Sequence, residues 1–202
     1  MQIVLNIKNR YGPKWGTALL ASLLTLMMLV ANPLKADPIA GTDDQLGFLF
    51  DHLSTVKTED EAQTITLQIW QIWITNNDDK TNLSMMRRGI SFMDSGNLSI
   101  AEEVFSRIIM RDPSFTEAWN KRATVRYLMN DIRGSEQDIY ETLTREPRHF
   151  GALAGLGLIK IQQGFLKDAL VIYQDILKIN PQSPDANKMV PELKSILKGD
   201  PV

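Results

Sequence analysis

Side chains that commonly take part in catalysis are sparse in this sequence. There are two histidines, His52 and His149, far apart along the chain, and there is no cysteine among the 202 residues. Metal and hydrolase sites need several such groups at matching spacings, as in H-E-x-x-H, and no such pattern occurs. Gly151, Gly155 and Gly157 are predicted to lie within a helix, so they do not form a phosphate-binding loop between a strand and a helix. We therefore expect no enzyme activity, no cofactor and no metal site.

The densest polar cluster is predicted around Arg122 and Arg126, which lie four residues apart and so share one helix face. Asp138 and Glu141 on the following helix are candidate partners. Because an unpaired buried charge is costly, we favour a structural ion-pair network here. The alternatives are a site for an anionic ligand, or an unusual helical active site that would need a deep polar pocket at this cluster or at His149.

A fixed spacing of prolines organises the elements around these residues. Pro113, Pro147 and Pro181 follow one another at intervals of 34 residues, and a period in this range indicates a repeat architecture. Three further sets of residues share the 34-residue period. Small residues on the predicted first helices are Gly89, Ala123 and Gly157, and small residues on the second helices are Ala101, Ser135 and Ala169. Larger residues one turn later are Phe105, Ile139 and Tyr173. We expect helix pairs that approach closely at the small residues and end near the prolines.

This combination resembles the tetratricopeptide repeat family. The resemblance implies an all-α fold, a short right-handed α-solenoid of helix hairpins. Lys8, Arg10 and Lys14 before an uncharged run over 15–31 add an N-terminal signal or anchor helix, so the protein would be of an exported bacterial type. The predicted division is 1–36 signal peptide or membrane anchor, 37–44 linker, 45–81 degenerate hairpin, 82–115, 116–149 and 150–183 repeats, and 184–202 capping helix and tail.

Local signals support this division. The stretches from Thr58 to Glu61 and from Ser114 to Glu117 both read as capping boxes at helix starts. Gly96 with Asn97, and Gly164, are predicted to end first helices, and Ser183 with Pro184 to begin the last helix. Pro191 is expected to kink or split that helix.

Trp70 and Trp73 in the leading hairpin have two possible roles. We favour large packing residues between hairpins, because aromatic side chains at helical spacing are usually buried. A platform for a ligand is the alternative.

The resemblance implies that first helices line a concave groove that receives a protein or peptide. The groove residues expected from it are Leu83, Met86, Ile90 and Met93, then Glu117, Asn120, Thr124 and Tyr127, and finally Ala154, Leu158, Ile161 and Gln162. Its first end would be an adaptable methionine-rich surface, unless the leading hairpin packs over it. The basic and amide residues with which some relatives hold a terminal carboxylate are missing at Met86, Ile90, Gly151 and Gly155, so we expect an apolar helix or extended segment as the ligand.

The amino terminus predicts export. Lys8, Arg10 and Lys14 precede an uncharged run over 15–31, which is typical of a secretory signal. The run is near the lower length limit of a membrane-spanning helix, so an uncleaved anchor is the alternative. Either version places the remainder outside the cytoplasm.

Charge and class together suggest the kind of partner. Residues 1–36 contain four basic and no acidic residues, whereas the whole chain has 22 basic and 24 acidic, so the remainder is acidic and nucleic-acid binding is not expected. We expect a non-enzymatic interaction module in the periplasm, or anchored to the inner membrane and facing the periplasm, that binds an envelope protein or peptide as an adaptor or assembly factor. The membrane would be touched only through an uncleaved N-terminal segment. The alternative is a structural subunit of an envelope oligomer.

Overall fold

The computed structural model describes residues 42–199, and the secondary structure in that range is helical. In chain order the helices are α1 Thr42–Leu53, α2 Glu59–Thr75, α3 Lys80–Asp94, α4 Leu98–Arg111, α5 Thr116–Leu128, α6 Ile132–Arg145, α7 Phe150–Gln163, α8 Leu166–Ile179 and α9 Pro184–Lys198. The expected all-α repeat fold is confirmed. The predicted signal or anchor, residues 1–36, lies outside the described residues. Within 42–199, no helix combines the length and apolarity needed to cross a membrane.

Three helix pairs, α3 with α4, α5 with α6 and α7 with α8, form the repeats, and their contacts lie at the predicted small residues. A Cβ atom at Gly89 would be 2.6 Å from the Phe105 ring, and one at Gly157 would be 2.8 Å from the Tyr173 ring. In the middle pair the Ser135 hydroxyl donates a hydrogen bond to the Ala123 carbonyl at 2.8 Å. Each pair therefore depends on a small side chain where its helices come closest.

The turns inside the three pairs also share the 34-residue period. Gly96, Asn130 and Gly164 all have positive φ, of 77°, 64° and 86°. Glycine adopts this left-handed conformation without strain, and asparagine is the residue that most often replaces it. The glycine stops were predicted. Asn130 was not, although it has the same role in the middle repeat.

The predicted helix starts have different outcomes. The Thr58 hydroxyl accepts a hydrogen bond from the Glu61 amide, and that of Ser183 accepts one from Ala186, as expected for N-caps. The capping box at Ser114 is wrong: no side chain caps α5, and the Ser114 hydroxyl donates instead to Asp112. The carboxylate that would complete the box is buried in another network, described below.

The C-terminal helix α9 covers the last repeat. Its apolar residues form one core with the second helix of that repeat: Met189, Val190, Leu193 and Ile196 pack with Ala169, Tyr173 and Ile176. Pro191 lies inside α9 and does not split it. Proline removes one backbone donor, but the buried residues on both sides hold the two halves in one helix.

Two helices begin slightly earlier than the predicted division of the chain would place them. The first helix already begins at Thr42, inside the predicted linker of 37–44, and α3 begins at Lys80, two residues before the predicted repeat. Helices α1 and α2 form the leading hairpin and pack on each other around Leu46, Leu53 and Ile69. The position of this hairpin determines what the inner surface of the repeats presents.

Candidate functional site

Helix α2 reaches the third repeat at the N-terminal end of α7. The Trp73 ring is stacked on His149, with centroids 3.9 Å apart and planes 11° from parallel. Trp70 meets Phe150 edge to face at 5.5 Å, and a Cβ atom at Gly151 would be 2.6 Å from the Trp70 indole. We call Trp70, Trp73, His149 and Phe150 the ring cluster. The packing role predicted for the tryptophans is confirmed by their burial, and the rings that they meet outside the hairpin lie at the start of the third repeat.

A buried polar network lies beside the ring cluster. The Glu117 side chain is completely buried and receives hydrogen bonds from His149 Nε2 at 2.9 Å and Asn120 Nδ2 at 3.1 Å. Lys121 Nζ lies 3.1 Å from the same carboxylate and 4.9 Å from the centre of the Trp70 ring. We call Glu117, Asn120, Lys121 and His149 the Glu117 cluster. It links the second repeat, the third repeat and the leading hairpin.

The hydrogen bonds of the cluster define its protonation. His149 Nδ1 accepts the Ala152 amide at 3.1 Å, so this nitrogen carries no proton and Nε2 is the donor to Glu117. Burial by itself would raise the pKa of Glu117, but the Lys121 charge and the His149 hydrogen bond together lower that pKa below its ordinary value. Glu117 is therefore a buried carboxylate whose charge is compensated.

The contacts of His149 were not predicted, because the sequence pointed only to a possible polar pocket there. It caps α7, stacks on Trp73 and donates to Glu117. The repeat period could have indicated the capping role. His149 lies 34 residues after Phe115 and 34 before Ser183, and these three residues are the N-cap residues of α5, α7 and α9. A polar ring at that register position could serve both as a cap and as a packing surface.

The hairpin covers part of the predicted groove. Ile74 of α2 packs against the apolar cluster that contains Met86, Met93 and Phe115. Met86 is 0% and Met93 8% exposed, because these side chains fill the core that α3 shares with α4 and α5, so this end is not an open methionine-rich surface. Of the hairpin, the partly buried Ile74 joins this core, so the hairpin accounts for only part of its enclosure.

The twelve predicted groove residues fall into two groups. The buried ones are Met86, Met93, Glu117, Asn120 and Ile161. The half-buried ones, which we call the open inner surface, are Leu83, Ile90, Thr124, Tyr127, Ala154, Leu158 and Gln162. Ile90, Thr124 and Leu158 occupy one register position on the three first helices α3, α5 and α7. Burial raises the pKa of Tyr127, so its hydroxyl stays neutral and can donate a hydrogen bond.

The arginine cluster is a structural network, as favoured from the sequence. Arg122 makes two hydrogen bonds to Asp138, at 2.8 and 2.7 Å, and Arg126 donates to the same carboxylate at 3.0 Å. Arg126 also reaches Glu102 of the preceding repeat at 2.8 Å. The predicted pairing with Glu141 is wrong, because that residue pairs with Arg145 one turn along its own helix. Among residues 42–199 no group of three His, Cys, Asp or Glu side chains is placed to hold a metal ion.

Comparisons with known proteins agree with this fold. No protein-family model matches the sequence. A Rhizobium etli protein described as TPR repeat-containing is 30% identical over 156 residues, which are 77% of this chain and 76% of that protein. The first TPR domain of Spaghetti (RPAP3), solved with the HSP90 peptide SRMEEVD, superposes with a TM-score of 0.57 at 16% identity, over 60% of this chain and 99% of that domain. The crystal structure of MamA superposes with a TM-score of 0.54 at 17% identity, over 78% and 83% of the two chains. The chain belongs to the tetratricopeptide repeat family.

Proposed function

We propose that this chain is a protein-interaction module that binds an apolar helix or extended segment of another protein on the open inner surface. The observation that carries the proposal is the row of half-buried residues Ile90, Thr124 and Leu158 at one register position of three successive first helices. Such a row offers contacts at regular intervals along one surface. Two RPAP3 domains of the same fold were solved with peptides from HSP90 and HSP70.

The chemistry of this surface favours an apolar ligand over a terminal carboxylate. Asn120, which matches one member of the carboxylate-binding set in some relatives, is buried and already bonded to Glu117. Met86 is enclosed in the core. What remains accessible combines aliphatic groups with the hydroxyls of Thr124 and Tyr127. An apolar segment with a few hydrogen-bonding groups fits this surface.

We further propose that the module acts outside the cytoplasm. The positively charged flank and the uncharged run over 15–31 support export, either with cleavage or as an inner-membrane anchor that faces the periplasm. The partner would then be a protein of the cell envelope, for which this chain serves as an adaptor or assembly factor. Deletion of 1–36 should leave a fused reporter in the cytoplasm; an unchanged location would contradict the proposal.

Affinity capture from an envelope extract tests the binding surface. We expect Leu158→Asp to abolish capture of a specific partner, because it places a charge on the row of inner residues. The matched control is Tyr140→Asp on α6, where the original side chain is 50% exposed and away from the predicted groove positions. Both variants should keep the helical circular-dichroism signal. Equal capture by the two variants would remove the open inner surface from the proposal.

A further inference from the structure

We propose that the α1–α2 hairpin can detach from the inner surface, and that the surface which it covers then binds an amphipathic helix with two aromatic side chains three residues apart. That surface, which we call the covered surface, consists of Glu117, Lys121, His149 and Gly151. The inference rests on the proposed function, because it adds a second binding surface to the same inner helices. In the isolated chain the occupant is α2 itself.

The hairpin has its own core, so it can move as a unit. Ten buried apolar residues of α1, α2 and their connection pack together: Leu46, Leu49, Phe50, Leu53, Val56, Ala62, Ile65, Ile69, Trp70 and Trp73. From the repeats only the partly buried Phe150 and Ile179 join this core. Four residues, 76–79, link α2 to α3. Undocking would therefore leave most contacts within the hairpin unchanged.

The docked position leaves polar groups without partners. The indole N–H groups of Trp70 and Trp73 are buried and make no hydrogen bond within the described part of the chain, and neither does the Thr66 hydroxyl. The three residues lie four and three positions apart, on one face of α2. In the docked position these groups have lost the hydrogen bonds that they would make to water. Release of the hairpin would let water bind them again. This contribution favours release, whereas the burial of the two aromatic rings favours the docked position.

The covered surface also tolerates exposure. Glu117 keeps its hydrogen bonds to Asn120 and its ion pair with Lys121 whether or not α2 is present, since all three lie on α5. His149 keeps its bond to the Ala152 amide, because His149 is the N-cap residue of α7 and Ala152 lies in the first turn of that helix. A charged and hydrogen-bonded surface gains hydration when it is uncovered, whereas a purely apolar one would not.

The geometry of the covered surface defines what it recognises. The imidazole of His149 offers a flat face, on which one indole stacks at 3.9 Å. Gly151 has no side chain, and the second indole fills the space that a Cβ atom would occupy. Lys121 places its ammonium group over that second ring. A partner helix with aromatic residues at positions i and i+3 would reproduce the contacts of Trp70 and Trp73.

A synthetic peptide of residues 59–75 tests this inference without any external partner. We expect the full-length chain with Trp70→Ala and Trp73→Ala to bind the labelled peptide at least tenfold more tightly than the wild-type chain does, since its own hairpin no longer competes. A peptide with both tryptophans replaced should not bind. The matched control is Leu67→Ala, 40% exposed on α2, which should behave as wild type. A folded double variant with no gain in affinity would overturn the proposal.

Hydrogen exchange of the wild-type chain gives an independent test, which is needed if the double variant does not fold. The slowest amides of α1 and α2 should exchange together, at least tenfold faster than the slowest amides of α5 and α7. Exchange of both groups at one rate would overturn the proposal. Neither test uses Leu158 or the captured partner, so failure here and failure of the proposed function are distinguishable.

Discussion

Replacing Glu117 by alanine tests the role of the buried cluster most directly. The change removes a carboxylate that is 0% exposed and leaves His149, also 0% exposed, without its acceptor. Breaking a buried charged network from one side costs about 3–5 kcal/mol. Because Lys121 is 16% exposed and can turn its ammonium group to water, we expect a loss near the lower end, about 3 kcal/mol. In a chain of this size that corresponds to a fall in melting temperature of roughly 6–12 °C.

The matched control is Glu103→Ala on α4. Glu103 also pairs with a basic residue four positions later, Arg107, but both side chains are 61% exposed. An exposed pair of this kind contributes about 0.3–0.5 kcal/mol. Urea unfolding of both variants at neutral pH, followed by far-ultraviolet circular dichroism, gives the comparison. Losses that agree within about 0.5 kcal/mol would refute the argument that burial makes the Glu117 network strong.

The remaining predictions concern acid stability, helix contacts and a turn. Folding lowers the pKa of Glu117. Its contribution to the free energy of unfolding is therefore complete above the unfolded-state pKa and is lost as the pH falls through the folded-state pKa. Glu117→Gln should flatten the acid side of the profile of stability against pH, measured by urea unfolding. Gly157→Ala should destabilise the fold by about 1–3 kcal/mol, because the new Cβ atom meets the buried Tyr173 ring. Gly47→Ala in α1, where a Cβ atom would have no neighbour within 4 Å, should stabilise the fold by about 0.5–1 kcal/mol. Thermal melts of the two variants give the comparison. Asn130→Gly should be nearly neutral, and Asn130→Val should lose about 1–2 kcal/mol in the same melts, because φ is 64° there.

The repeat architecture could be predicted because its determinants are local. Gly89 and Phe105 lie on the two helices of one pair, and the same contact recurs between Gly157 and Tyr173 in another pair. A small residue, a large residue and a turn at fixed offsets describe each unit completely. The glycine turns and the arginine network around Asp138 follow from the same short-range arrangement.

The position of the hairpin could not be predicted in this way. Trp70 and Trp73 would be buried aromatic residues in any arrangement of the hairpin, so their type did not indicate which repeat they meet. Glu117 lies in a sequence that fits a capping box, and nothing in that local pattern indicates the contact with His149, 32 residues away, that helps to hold its carboxylate in the interior. Burial of a polar side chain depends on partners that local patterns do not identify.

The length of α2 limits how many repeats this array can contain. In ordinary repeat proteins each unit touches only its neighbours, so evolution can insert or delete units freely. Here α2, with 17 residues and a length of about 25 Å, contacts the first repeat through Ile74 and the third through Trp73. An inserted repeat between them would carry His149 beyond the reach of Trp73. Changes in repeat number are therefore compatible with the docked hairpin only after the third repeat, between α8 and the terminal helix α9.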